Sequence, residues 1–309
     1  MVTLRFGLVA LMLYFAYRTI PMNPREIVYY LLHTGVFFYV SLSLFTLFLA
    51  VQASIWLQIL NDPVRQLSLR KGLLIYTSSQ FAKYIPGGIW NLAGRVVMAS
   101  REGVPVNAQI AAIVYENVLL VVAAAVYALI LLVDLHAIPV YVCFLFAALL
   151  ALTYLYFPKV SEWTEAICGR LLSKFKPGAL SKRLAGPLAP LSRNRFFRYL
   201  GYYLASHLIM GISFWLLLRS FHILDVSVLY ASGTFAASWL LGLLSPLPGG
   251  IGVREGFLVY FLSFRMDTST ALQISIIARI WNILSEVLLY VAVQTVQFTR
   301  KKRMNPYET

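Results

Sequence analysis

Apolar residues run along this chain in blocks long enough to cross a lipid bilayer, separated by short polar turns. Residues 27–59, 106–133, 140–157, 199–218 and 270–298 are such blocks. At about 1.5 Å of rise per helical residue, the longer ones reach across with tilt. Residues 2–17 are apolar apart from Arg5, with Arg18 behind them. No small-x-small cleavage site follows, so they read as a short first span with snorkelling arginines rather than as a signal peptide. Two further blocks, 73–100 and 227–264, are interrupted near their middles by proline and glycine.

The second interruption is Pro246-Leu-Pro-Gly-Gly-Ile-Gly-Val-Arg-Glu-Gly256, and a weaker copy is Lys83-Tyr-Ile-Pro-Gly-Gly-Ile-Trp-Asn-Leu-Ala-Gly-Arg95. Proline removes a backbone donor and glycine favours open backbone. In hydrocarbon, opened backbone is tolerated only under a cover of protein or beside a water-lined cavity. The two arms of the first broken block are each about a dozen residues, short of the roughly 20 that a crossing needs. The pattern therefore predicts two hairpins that dip in and return on the same side.

Basic residues set the orientation. The turn at 61–71, the connection 158–198 and the tail 300–303 are rich in Lys and Arg, whereas the turns at 18–26, 134–139, 219–225 and 265–269 are poorer or carry balancing acids. Placing the basic segments inside puts both termini in the cytoplasm. The first hairpin then enters from the cytoplasm and the second from outside, which makes an inverted repeat. The expected fold is an all-α polytopic bundle forming one integral membrane domain over residues 1–309. Its N-terminal half is 1–157, its basic connection 158–198 and its C-terminal half 199–309. Within the connection, Val160, Trp163, Ile167, Leu171 and Phe175 recur at helical spacing, as in an amphipathic helix lying on the membrane surface.

Composition sharpens this picture. The chain of 309 residues is 60% hydrophobic and only 12% charged, where soluble domains carry roughly 25% charged residues. Its net charge of +14 lies mostly in loops beside apolar spans, so it reads as an orientation signal facing anionic lipids rather than as a nucleic-acid surface. Cys143 and Cys168 are placed too differently to suggest a disulfide, and the four histidines show no ligand spacing for zinc. His207, inside a span, reads as a satisfied core histidine. The four aspartates (Asp62, Asp134, Asp225 and Asp267) form no close pair to hold Mg²⁺ against a diphosphate. No P-loop and no recognisable Ser/His/Asp set appears. The expectation is a protein without a catalytic constellation, metal or cofactor.

Ionisable residues inside apolar blocks are the remaining candidates, because charge at that depth is costly unless paired or functional. Ser275, Arg279, Asn282 and Glu286 are spaced 4, 3 and 4 apart and fall on one helical stripe. That stripe is either interhelical glue or a hydrophilic path. Glu116 and Arg279 sit at nearly equal offsets after the two Pro-Gly-Gly breaks, so Glu116 is the expected partner of Arg279. Arg254 and Glu255 either cap the half-helix that follows the second break or join the free amides of Gly249, Gly250 and Gly252 in an anion pocket. Lys83 and Tyr84 flank the first break, where Lys83 could also snorkel to the interface. Arg95 lies near the returning end, at the expected level of the lipid head groups.

The block 246–256 resembles the signature of the lysylphosphatidylglycerol synthase transmembrane-region family, and Lys83-Tyr-Ile-Pro-Gly-Gly-Ile-Trp with Arg95 resembles that family's first block. The resemblance extends over residues 1–300. It implies an inner-membrane protein whose best-known relatives flip aminoacylated phospholipids, while others accompany polyprenyl-linked glycan pathways. The matching positions are Lys83, Tyr84, Pro86, Gly87, Gly88 and Arg95 in one block, and Pro248, Gly249, Gly250, Gly252, Arg254 and Glu255 in the other. Bifunctional relatives carry a soluble aminoacyl-transfer domain, and this sequence ends at Thr309 without one, so synthase activity is not implied. The first block also lacks the Gly-x-x-Glu that follows the second Pro-Gly-Gly-Ile.

The expectation that follows is a flippase-like translocase of an anionic lipid, with substrate held between the hairpins by Arg254, Glu255, Arg279, Glu116 and Glu286. One alternative is a membrane-embedded transferase. Another is an accessory subunit whose basic connection docks a cytoplasmic glycosyltransferase.

Overall fold

The computed structural model describes residues 33–62, 64–84, 90–159, 161–162, 191–245, 250 and 252–304. The expected first span, the bulk of the amphipathic segment at 160–175, and Gly87, Gly88 and Gly249 lie outside them. All regular structure among the described residues is helical. In order come α1 (Val36–Leu60), α2 (Leu69–Gln80) with a 3-10 turn (Phe81–Tyr84), α3 (Trp90–Arg101), α4 (Val106–Asp134), α5 (Tyr141–Leu155), α6 (Arg193–Ser220), α7 (Val228–Leu244), α8 (Val253–Leu262) and α9 (Thr268–Met304).

Among the described residues, four stretches are long and apolar enough to cross a membrane: α1, α4, α6 and Thr268–Val296 of α9. Helix α5 reaches only 15 residues and buries none of them. Its Phe144 and Leu145 are 69% and 62% exposed, an outward face that suits acyl chains and not water.

Both interrupted blocks fold as pairs of short helices packed on each other, α2 with α3 and α7 with α8. Each pair begins and ends at the same place. Lys71 at the start of α2 is 2.5 Å from Glu102, just past α3. At the other pair the Tyr230 hydroxyl, near the start of α7, donates to the Phe261 carbonyl near the end of α8. The first pair opens where α4 begins, with the Gln109 amide group donating 2.9 Å to the Val104 carbonyl. The second opens where α4 ends, with Arg265 2.7 Å from Asp134. Helix α4 is 29 residues long, about 43 Å, so the two pairs open at opposite ends of the molecule. The arms differ in length: 12 and 12 residues in the first pair, 17 and 10 in the second.

Helix contacts repeat between the halves. Exchanging α1 to α4 with α6 to α9 maps α1–α2 onto α6–α7, α2–α3 onto α7–α8 and α3–α4 onto α8–α9. The cross-contacts α4–α7 and α9–α2 exchange in the same way, and α1–α6 maps onto itself. Around α1–α6, Ser41 and Ser213 donate to each other's carbonyls at 2.7 Å. Small residues let α7 approach its neighbours closely. A β-carbon on Gly233 would stand 2.6 Å from Leu131 Cβ, and one on Gly211 would overlap Ser232.

The apolar interior forms two clusters. One gathers Phe45, Phe214, Phe235 and Trp281, with the Phe45 and Trp281 rings 4.1 Å apart between centroids. The other gathers Trp56, Tyr76, Leu119 and Tyr203. A charged assembly lies beside each.

Candidate functional site

The stripe predicted on the last long span faces inward. Ser275, Arg279, Asn282 and Glu286 are all buried on α9, and Asn282 is the middle residue of its apolar stretch Thr268–Val296. Both interrupted segments reach this point. From the first, Lys83 in the 3-10 turn pairs with Glu286. From the second, Glu255 in the first turn of α8 accepts from Arg279 Nη1 at 3.1 Å. Ser275 Oγ donates to the Glu255 carbonyl, also at 3.1 Å. Lys83 lies within electrostatic reach of Arg279 and Arg254, which makes one assembly of three cations and two carboxylates. Arg254 lies over the Phe235 ring, 4.6 Å from its centroid, a favourable cation–π position.

The local sequence explains how the second segment arrives there. Gly250 (φ +67°) and Gly252 (φ +83°) are left-handed, a conformation that glycine adopts without penalty. A β-carbon on Gly250 would sit 2.8 Å from the Gly242 carbonyl oxygen. The turn therefore packs directly on the end of α7. Gly252 then caps α8, and its amide donates to Glu255 Oε2 at 2.7 Å. Glu255 thus fills two roles. It caps the helix, and its carboxylate bridges the Gly252 amide and the Arg279 guanidinium. The amide of Gly252, expected to be free for an anion, is engaged.

Accessibility differs sharply within the assembly. The side chains of Lys83 and Glu255 are 28% and 26% exposed, against 4% for Glu286 and 9% for Arg279. The two outer partners are reachable and the two on α9 are held inside.

The predicted pairing of Glu116 with Arg279 does not form. Glu116 pairs with Arg95, so equal offsets along two halves did not mean juxtaposition. Each half pairs its own charges, 21 residues apart in the first and 24 in the second. Arg95, expected near the lipid head groups, lies inside the helix packing. It is only 2% exposed, with its guanidinium 4.3 Å from the Tyr76 ring centroid and 4.9 Å from that of Trp56. Tyr76 also lies within electrostatic reach of the Glu116 carboxylate. Ring faces stabilise a guanidinium that has left water, and that is why the chain can bury it. Sequence reasoning missed Trp56, Tyr76 and Tyr203 in this wall and Phe235 under Arg254. Tyr199 and Tyr203, one helical turn apart in an apolar span, were the available signal.

His207 is buried with Nδ1 2.8 Å from the Tyr203 carbonyl, as a core histidine should be. Two ion pairs group the turns at the two ends of the bundle. Arg195 binds Asp62 at 2.6 Å, joining the 61–71 turn to the start of α6, while Arg265 binds Asp134 at the other end. A cleft of 440 Å³ near Asp62, lined by Asn61, Arg65, Leu67 and Tyr199, contains none of the predicted site residues.

No curated protein and no solved structure matches the chain. The model of the lysylphosphatidylglycerol synthase TM region matches residues 2–289, and the chain is a multi-pass membrane protein belonging to that family.

Proposed function

We infer that the protein is a flippase-like translocase that moves an anionic lipid across the cytoplasmic membrane. The observation that carries this reading is the convergence of both interrupted segments on the middle of α9, through Lys83–Glu286 and Glu255–Arg279. Helices broken at mid-membrane around a charged centre are how many secondary transporters build a substrate site. In this reading the two short helix pairs are re-entrant hairpins of an inverted repeat, entering from opposite faces, with both chain ends cytoplasmic. Their openings at opposite ends of α4 support it.

The charge balance supports an anionic head group. Lys83, Arg254 and Arg279 face Glu255 and Glu286, and the intervening segments 85–89 and 246–251 contain no ionisable residue. A phosphate entering this centre replaces the Glu255 carboxylate on the Gly252 amide and Arg279, and Arg254 and Lys83 complete its neutralisation. Displaced Glu255 is then available to a cationic substituent on the same head group. A modified phospholipid and a polyprenyl-phosphate-linked sugar both fit that chemistry. The tails remain in lipid while the halves rock about the centre.

Reconstituted protein tests this. Arg254→Ala and Glu255→Gln are expected to abolish transbilayer movement of a labelled anionic lipid in vesicles while the protein stays folded. Full activity in both variants removes the centre from the transport reading.

A further inference from the structure

The paired charges Arg95 and Glu116 lie where five helices meet: Trp56 comes from α1, Tyr76 from α2, Arg95 from α3, Glu116 from α4 and Tyr203 from α6. Trp56 and Tyr203 are fully buried and the two charges nearly so. Tyr203 is within electrostatic reach of Glu116, Tyr76 and Arg95. Three polar atoms at this junction have no hydrogen-bond partner among the described residues: Arg95 Nε, Trp56 Nε1 and the Tyr203 hydroxyl. One turn from Trp56, Gln52 Oε1 is in the same position, although its amide nitrogen donates to Ser206 at 3.1 Å.

Each unmet buried donor costs roughly 1–3 kcal/mol. Three of them around an ion pair that has already been stripped of water make the junction unstable as a dry assembly. Glu116 still has acceptor capacity, since a carboxylate offers about four lone-pair sites and its hydrogen-bond partner here is Arg95. Donors lacking acceptors, beside a carboxylate with acceptors to spare, are what an internal water connects.

We propose that this junction is a buried hydration site whose ligand is ordered water, bridging Tyr203, Trp56 and Arg95 Nε to Glu116. It is separate from the charged centre on α9 and does not depend on lipid being the substrate.

Tyr203→Phe tests the site by a sign. If the hydroxyl holds water, its removal lowers the thermal midpoint of the detergent-solubilised protein, by about 2–4 °C. If the junction is dry, deleting an unmet hydroxyl leaves the midpoint unchanged or raises it, which overturns the proposal. A second measurement uses the unaltered protein. Brief X-ray pulses generate hydroxyl radicals from bound water, and Trp56 and Tyr203 are expected to be oxidised while the equally buried Phe214 is spared. Protection of all three alike also overturns the proposal.

Discussion

The two halves of the molecule build the same device with opposite signs and opposite access. In the first half the charge after the break is a cation, Arg95, and it pairs with an anion on the following long helix, Glu116. In the second half the charge after the break is an anion, Glu255, and it pairs with a cation on the following long helix, Arg279. The first pair is closed in by Trp56 and Tyr76. The second is left a quarter open at Glu255 and is joined by Lys83 from the other half. A pair closed off from bulk solvent can hold helices together but cannot trade partners with a lipid head group. An open pair with an extra cation beside it can. In the proposed reading, one half's charges serve structure and the other's serve substrate.

The largest expected effect comes from breaking the sealed pair. Glu116→Ala leaves Arg95 charged and buried without a counterion, and the expected loss is about 3–5 kcal/mol. Chemical denaturation in detergent, or the yield of folded protein, reads it. Replacing both members with apolar residues of similar volume, Arg95→Met with Glu116→Leu, is expected to recover much of that loss.

Next comes the close approach of α7 to α4. Gly233→Leu forces a side chain against Leu131 where a β-carbon alone would stand 2.6 Å from Leu131 Cβ. Overpacking of this kind costs about 1–3 kcal/mol, seen as a lower thermal midpoint. At the open centre the order reverses. Arg254→Ala removes, among its contacts, the cation–π contact with Phe235, worth about 1 kcal/mol, and is expected to abolish lipid movement. Large loss of function with small loss of stability separates the open centre from the sealed one.

The smallest effects lie outside the apolar blocks. Arg195→Ala removes a pair with Asp62 whose arginine is solvated, and the thermal midpoint is expected to stay where it is. Asp267 caps α9 by accepting from the Thr270 amide at 2.9 Å. The Thr270 side chain first, and then that amide bond, hold its carboxyl below the usual aspartate range. The stabilisation is therefore complete above the ordinary aspartate pKa and is lost as pH falls through the lowered one. Asp267→Asn is expected to remove that acid-side slope, measured as thermal midpoint against pH.

Much of this arrangement was legible in the residues. Prolines and glycines at 86–88 and 246–252 marked the interruptions because few backbones tolerate them inside a long helix. The spacing of Ser275, Arg279, Asn282 and Glu286 gave the inward stripe because one helix fixes its own periodicity. Partners were harder. Glu116 and Arg279 were matched by equal offset, but position along a repeat says nothing about which pairs meet when two halves pack face to face. The burial of Arg95 is not legible in its own segment because it depends on Trp56 and Tyr76, which come from two other helices. Opposite charges within each half, Arg95 with Glu116 and Glu255 with Arg279, were the usable clue.

The contrast in access can be measured directly in the bilayer. In a background with Cys143 and Cys168 replaced by serine, single cysteines at Lys83 and at Arg95 are treated with a small, membrane-impermeant thiol reagent. Lys83→Cys is expected to react, and to be protected by an anionic lipid, while Arg95→Cys stays unmodified in the folded protein. Equal silence at both positions would contradict a water-reachable charged centre between the two interrupted helices.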